Sequence, residues 1–418
     1  MQQAMNQPGL MERYGRYLNA GLAQVLSFMG LEGSAVQAEG SYVYDSAGRR
    51  FIDFLGGYGV FNFGHRHPRI VAAVRDQLER MPLSSKLLVD DAAVQAAEKL
   101  AALTPGDISK FFFTNSGTES VEGAIKLARL HTGRTAVVFA HQSFHGKTLG
   151  SLSASGREKH RERFEPLLSE FVEVPFGDAE ALERVLTDRT AAVLLEPVQG
   201  EGGINLPPDG YLPQVRRLTE ERGVLLILDE IQTGMGRTGW NFACEREQVV
   251  PDIIVLAKAL GGGVMPVGAI GGTPEVWLEF EQEPLIHSST FGGNPLACVA
   301  VAAAVDVLVE EELAERARTI GECFMSRLVN LVEKYPGLLT EARGRGLMIG
   351  LEFASSDIAE LAIAAILNKD VLIAFALNAP QVVRLEPPLN TPADLFDEVL
   401  TRLDAALGET QAMVEEYS

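Results

Sequence analysis

Three places along this chain carry residue types that suit chemistry on a phosphate-bearing, carbonyl-bearing ligand. Ser116-Gly117-Thr118-Glu119 sets two hydroxyls and a glycine where an apolar run gives way to a helical period. The free N–H groups of a helix start favour anions, so this stretch suits a phosphate cradle, and equally an ordinary Ser/Thr cap. Asp229 closes the run Val224–Leu228. An ionised carboxylate at the end of a buried strand needs a cationic partner, such as a protonated pyridine nitrogen; a capping role is the plainer alternative. Lys258 follows the next apolar run and precedes Gly261-Gly262-Gly263. A lysine there forms a Schiff base with a carbonyl if desolvation or a neighbouring cation lowers its pKa; alone, it reads as a surface lysine before a flexible loop.

The elements that must hold these residues follow from hydrophobic pattern. Short apolar runs without alternation, at Lys110–Phe113, Thr135–Ala140, Ala191–Leu195, Val224–Leu228 and Ile253–Leu256, predict strands buried on both faces. Between them, Val121, Ala124, Ile125 and Ala128 repeat at helical spacing. Strands alternating with helices imply an α/β fold with a mostly parallel sheet flanked by helices. Each run ends in polar groups: Thr114 to Gly117, His141 with Phe144 and His145 beyond, Glu196, Asp229 and Lys258. Ligands of open α/β sheets sit outside the carboxyl ends of the strands, so one edge is the expected site. The chain ends differ. Val43-Tyr44 and Phe51-Ile52 predict a short hairpin, Asn294-Pro295 opens a long helix to about Leu313, and short strands follow near 347–353 and 382–385 before a closing helix from Pro392. This predicts a large domain over 56–318 and a smaller α+β domain built from 1–55 and 319–418.

Composition narrows the partners. With 36 Lys+Arg against 56 Asp+Glu the net charge is −20, which argues against nucleic acid. The stretch Met1–Leu18 lacks the apolar segment of a signal peptide. The apolar stretch 296–309 is too short to span a bilayer and carries Asp306. Cys244, Cys298 and Cys323 are too few and too scattered for a disulfide framework. A cytoplasmic protein with no membrane association is expected. His65 and His67 form a His-x-His pair inside a loop, without a third ligand at metal-binding spacing, so no metal is expected.

Taken together, a phosphate cradle, a buried carboxylate and a lysine at the ends of separate strands are the anchors of pyridoxal phosphate. The runs at 115–129, 143–150, 196–203, 228–239, 256–263 and 289–295 resemble those of class III, fold-type I aminotransferases. The resemblance spans residues from about Asp53 to Leu389. It implies that Lys258 holds the cofactor and moves the proton, that Asp229 pairs with its ring nitrogen, and that Gln232 reaches its ring hydroxyl. Ser116, Gly117 and Thr118 would bind the phosphate, joined by Thr290 of the partner subunit, which implies a homodimer. Phe144 and Ile231 would cover the two ring faces, and His145 and Glu196 would complete the cofactor-binding set.

The same resemblance makes Arg384 the grip for a substrate carboxylate and Glu201 its partner when the substrate lacks one. A primary amine and a 2-oxo acid, 2-oxoglutarate or pyruvate, would then alternate. Among branches of the family the motifs are most similar to putrescine aminotransferases. Lys147 stands where ornithine and acetylornithine enzymes carry arginine, Phe28 takes the place of a substrate-binding tyrosine, and Tyr58 would line the entrance. An ornithine- or acetylornithine-type enzyme is the alternative. Related proteins that decarboxylate, racemise or move an amine within one molecule keep the cofactor and change the reaction. From another class, Leu226–Glu230 followed by a P-loop-like Gly146-Lys147-Thr148 would suit a nucleoside triphosphatase, but His141 stands where a P-loop needs glycine.

Overall fold

The computed structural model describes residues 9–417. Residues 1–8, the first part of the stretch examined for a signal peptide, lie outside them, as does the side chain of Phe28. Near the N-terminus, β1 (Ala35–Glu39), β2 (Tyr42–Asp45) and β3 (Arg50–Asp53) form an antiparallel meander. The expected hairpin is there, with Val43 opposite Phe51 and Tyr42 opposite Ile52.

The central sheet consists of β4 (Lys110–Thr114), β5 (Ala136–Ala140), β6 (Phe171–Val174), β7 (Thr190–Leu195), β8 (Leu225–Asp229), β9 (Ile253–Leu256) and β10 (Gly268–Gly272). Their spatial order is β4-β10-β9-β8-β7-β5-β6. Strands β6, β5, β7, β8 and β9 run parallel, and β10 is antiparallel to both β4 and β9. The five predicted strands lie within one residue of their expected ends. Every residue of β5, β7, β8 and β9 is buried, which is why their sequences show no alternation.

Helix Gly117–Thr132 shows how sequence sets local structure. Ser116 caps it by accepting from Glu119 N at 3.4 Å, and Gly133, at φ 64°, ends it. Its apolar face of Val121, Ala124, Ile125 and Ala128 is buried and packs on β9 and β10. Asn294 caps helix Pro295–Glu310 through Ala297 N at 3.0 Å. That helix stops short of Leu313 because Glu312 adopts φ 51°, after which helix Leu313–Lys334 begins.

Beyond it come β11 (Leu339–Arg345), β12 (Met348–Phe353), β13 (Val371–Leu372), β14 (Ala374–Ala376) and β15 (Ala379–Leu385). Four of them make an antiparallel sheet in the order β11-β12-β15-β14. Strand β13 instead pairs parallel with β3, Val371 opposite Ile52, so segments near both chain ends share one sheet. Phe54, Phe324 and Phe396 meet edge to face at 5.1–5.8 Å and join the N-terminal segment to helices Leu313–Lys334 and Ala393–Tyr417. The molecule is α/β, a mostly parallel helix-flanked sheet with a smaller α+β part. Among the described residues no helix is long and apolar enough to cross a membrane.

Candidate active site

The carboxyl ends of the central strands open into a cavity of about 590 Å³. Ser116, Gly117, Thr118, Phe144, His145, Lys147, Glu196, Glu201, Asp229, Ile231, Gln232 and Lys258 all line it. These residues come from five strand ends separated by up to 142 positions in sequence, and folding brings them to one edge. Arg384 lies behind Glu201 and under Tyr58. Thr290 is exposed and does not line this cavity.

At one end of the cavity stands the start of helix Gly117–Thr132. Thr118 Oγ1 is 2.7 Å from Ser151 Oγ and 2.9 Å from Thr148 Oγ1, so three hydroxyls gather there. Gly146 passes so close that a Cβ on it would stand 2.3 Å from Thr118 Oγ1, and its φ of 131° favours glycine. Backbone N–H groups and hydroxyls around a helix start make an anion site. Ser116 Oγ caps the helix while Ser116, Gly117 and Thr118 also line the cavity.

Asp229 sits at the floor. Its Oδ1 accepts from Ile231 N at 3.1 Å and its Oδ2 lies 2.7 Å from His145 Nδ1, both side chains being almost fully buried. A carboxylate only accepts, so Nδ1 carries the proton in this pair. Nearby, Glu196 accepts from Phe144 N at 2.9 Å and Gly200 N at 3.0 Å. Burial pushes its carboxyl up to about 7, opposed by His145 and reinforced by Asp229.

Lys258 follows β9 at φ 47°, a left-handed conformation that costs a non-glycine residue on the order of 1 kcal/mol or more. Its ammonium makes no hydrogen bond or ion pair among the described residues. Burial lowers its pKa from the usual lysine range, against the opposing pull of Glu201 and Glu386. An amine that loses its proton readily, in a cavity, is a nucleophile.

Glu201 and Arg384 form a closed pair, Oε1 to Nη1 at 2.8 Å, with the Arg384 side chain only 1% exposed. Glu201 Oε2 also accepts from Leu377 N at 2.8 Å. Burial works to raise the Glu201 pKa, but Arg384 and Lys258 outweigh it and hold the carboxyl below its usual range. The Arg384 guanidinium stacks 4.7 Å from the Tyr58 ring centroid. Lys147 is exposed at the rim. The two loop histidines are held by different carboxylates: His65 Nε2 bonds Asp53 at 2.7 Å and His67 Nε2 bonds Glu311 at 3.1 Å.

Two buried charges near the site escaped the sequence reading. Glu386 is fully buried and receives Gln232 Nε2 at 2.8 and 3.0 Å. Arg237 is fully buried and donates to Asn62 Oδ1 and the carbonyls of Leu347 and Pro387, stitching the 53–63 loop to the end of β15. The signal available was spacing: Arg384 and Glu386, two apart, share one side of an extended segment.

Comparison with known proteins places this arrangement. Residues 31–407 match the family model described as aminotransferase class-III. An ornithine aminotransferase from Toxoplasma gondii is 31% identical with a TM-score of 0.87, covering 97% of this chain and 99% of that one. An acetylornithine aminotransferase from Elizabethkingia anophelis is 32% identical, TM-score 0.80, covering 93% and 98%. An (S)-enantioselective omega-transaminase from Thermomicrobium roseum is 30% identical, TM-score 0.84, covering 90% and 92%. With its cavity at the strand ends and a match over most of its length, the chain belongs to the class III aminotransferases, enzymes that use pyridoxal phosphate.

Proposed function

We propose that this enzyme moves the amino group of a primary amine, a diamine such as putrescine or another ω-amine, to 2-oxoglutarate or pyruvate. The observation that carries the reading is the closed Glu201–Arg384 pair beside Lys258. Closed, the pair neutralises Arg384 and suits a donor without a carboxylate; opened, it frees a planar guanidinium for the carboxylate of an oxo acid. Carboxylates on several sides of the cavity, Glu196, Glu201 and Asp229, suit a cationic donor.

The residues fit the cofactor. The helix start and the glycine at 146 leave room for a phosphate, Asp229 offers a negative floor to a protonated ring nitrogen, and Lys258 makes no hydrogen bond or ion pair among the described residues. Ser116, Gly117 and Thr118 would hold the phosphate, Phe144 and Ile231 would cover the ring faces, and Gln232 would border the ring. His145 orients Asp229, and Glu196 borders the floor. When bound, pyridoxal phosphate supplies an electron sink for the pair left when a donor C–H bond breaks. Lys258 Nζ, whose hold on its proton burial weakens, would take the proton from the donor carbon and pass it to the cofactor, the reverse transfer serving the oxo acid.

We also propose a homodimer in which Thr290 of the partner subunit reaches the phosphate. Leu87, Leu88 and Val89 are 81–91% exposed and Leu285 86%, with Phe291 beside Thr290 also exposed. Lys86 bonds the Gly292 carbonyl and ties these two loops together. Such apolar exposure on one chain is what an interface with a second copy would cover. The division at 55/56 and 318/319 is proposed with it.

The solved ornithine and acetylornithine enzymes favour a second reading, an amino-acid donor. Lys147 counts against it, because lysine lacks the fork that grips an acidic group. The test is a donor panel of putrescine, cadaverine, ornithine, N-acetylornithine and 4-aminobutyrate against both acceptors. Highest kcat/KM for a diamine supports the reading; preference for ornithine or acetylornithine overturns it.

A further inference from the structure

Glu386 combines features that packing alone does not require. Its carboxylate is fully buried and forms no ion pair among the described residues. Both its oxygens accept from one nitrogen, Gln232 Nε2, at 2.8 and 3.0 Å. That nitrogen also lies 3.4 Å from the Tyr58 carbonyl. Gln232 Oε1 therefore turns the opposite way, against Gly200, where an added Cβ would stand 1.7 Å from it. A carboxylate cannot donate, so it accepts the amide only nitrogen-first. The fully buried Arg237, the nearby cation that attracts Glu386, spends its hydrogen bonds on carbonyls and an amide instead. Gln232 itself lines the cavity three residues after Asp229.

We infer that Glu386 is a positioning residue for the site: it holds the Gln232 amide with its nitrogen away from the cavity and keeps a negative charge behind the wall facing Lys258. A neutral group at 386 would leave the Gln232 amide free to turn. It would also remove a charge that favours a proton on the nitrogen of Lys258. The inference rests on Lys258 as the cofactor's attachment point.

The test is a pH titration of the long-wavelength absorbance of the pyridoxal phosphate-loaded protein, with cofactor affinity measured by fluorescence. In Glu386→Gln the midpoint should fall by about half a pH unit or more, and affinity should weaken about threefold. The double variant Gln232→Glu, Glu386→Gln keeps the contact with its roles reversed and moves the charge to the cavity wall. Its midpoint should rise above that of the wild type, and it reads out even if the single variant fails to fold. Midpoints within about 0.1 pH unit of wild type in the folded variants, with only thermal stability altered, would make Glu386 structural and overturn the inference. Lys258→Ala separates the two levels. Loss of its band supports the attachment point, so that an unmoved midpoint then overturns Glu386 alone; a surviving band overturns both.

Discussion

Replacing Glu201 with glutamine isolates the charge of the Glu201–Arg384 pair. The substitution keeps the volume but leaves one amide oxygen where two carboxylate oxygens now serve Arg384 Nη1 and Leu377 N, each at 2.8 Å. A hydrogen bond to a charged group is worth about 1.5–3 kcal/mol net against about 0.5–1.5 for a neutral one, and a donor left unmatched adds about 1 or more. The closed pair should therefore weaken by about 1.4–2.8 kcal/mol, or ten- to a hundredfold. In the proposed reaction an oxo acid opens the pair to reach Arg384, so its KM should fall by that factor. The amine, which needs the pair closed over a side chain that is 1% exposed, should react more slowly in its own half-reaction by a similar factor. Stopped-flow measurement of each half-reaction separately gives both numbers. Parallel changes in the two half-reactions, or an unchanged oxo-acid KM, would refute the gating role.

Glu196 makes stability pH-dependent. Its pKa rises from 4.5 to about 7 on folding, chiefly by burial, so the folded state binds the extra proton and stability falls as pH climbs from about 4.5 to 7, by on the order of 3 kcal/mol. Glu196→Gln should flatten that segment of the urea midpoint curve; an unaltered slope would contradict it. Gly146→Ala places a Cβ 2.3 Å from Thr118 Oγ1 at a φ of 131°. Strain of about 1–3 kcal/mol at the cradle should weaken pyridoxal phosphate affinity about five- to 150-fold in a fluorescence titration. Sedimentation should give a two-chain mass for the wild type and a single-chain mass for Leu88→Asp; a wild type monomeric at every concentration would remove the shared-site proposal.

Much of the central sheet was legible because strands buried on both faces leave an unbroken apolar run, and their polar ends stand out against it. Strand β10 was not, since three of its five residues are glycine, a weak strand former. Gly268 is glycine for a tertiary reason: an added Cβ would lie within 2.5 Å of Thr114 and Ser120 hydroxyls. The cradle, Asp229 and Lys258 announce themselves by position at strand ends. The pairing of His145 with Asp229 crosses 84 positions and no local pattern signals it. Glu386 and Arg237 look like ordinary surface charges in sequence, and only their partners, 154 and 175 positions away, make them buried parts of the site. Nothing in the local pattern marks Phe291 and Leu285, whose exposure shows only on the folded chain.

The central claim is that Lys258 is the residue to which pyridoxal phosphate attaches. Borohydride reduction of the loaded protein, followed by digestion and mass spectrometry, tests it directly. The account predicts one modified peptide, with the phosphopyridoxyl mass on Lys258 and none on Lys147 at the rim. A label on Lys147 or elsewhere, with Lys258 unmodified, would contradict it.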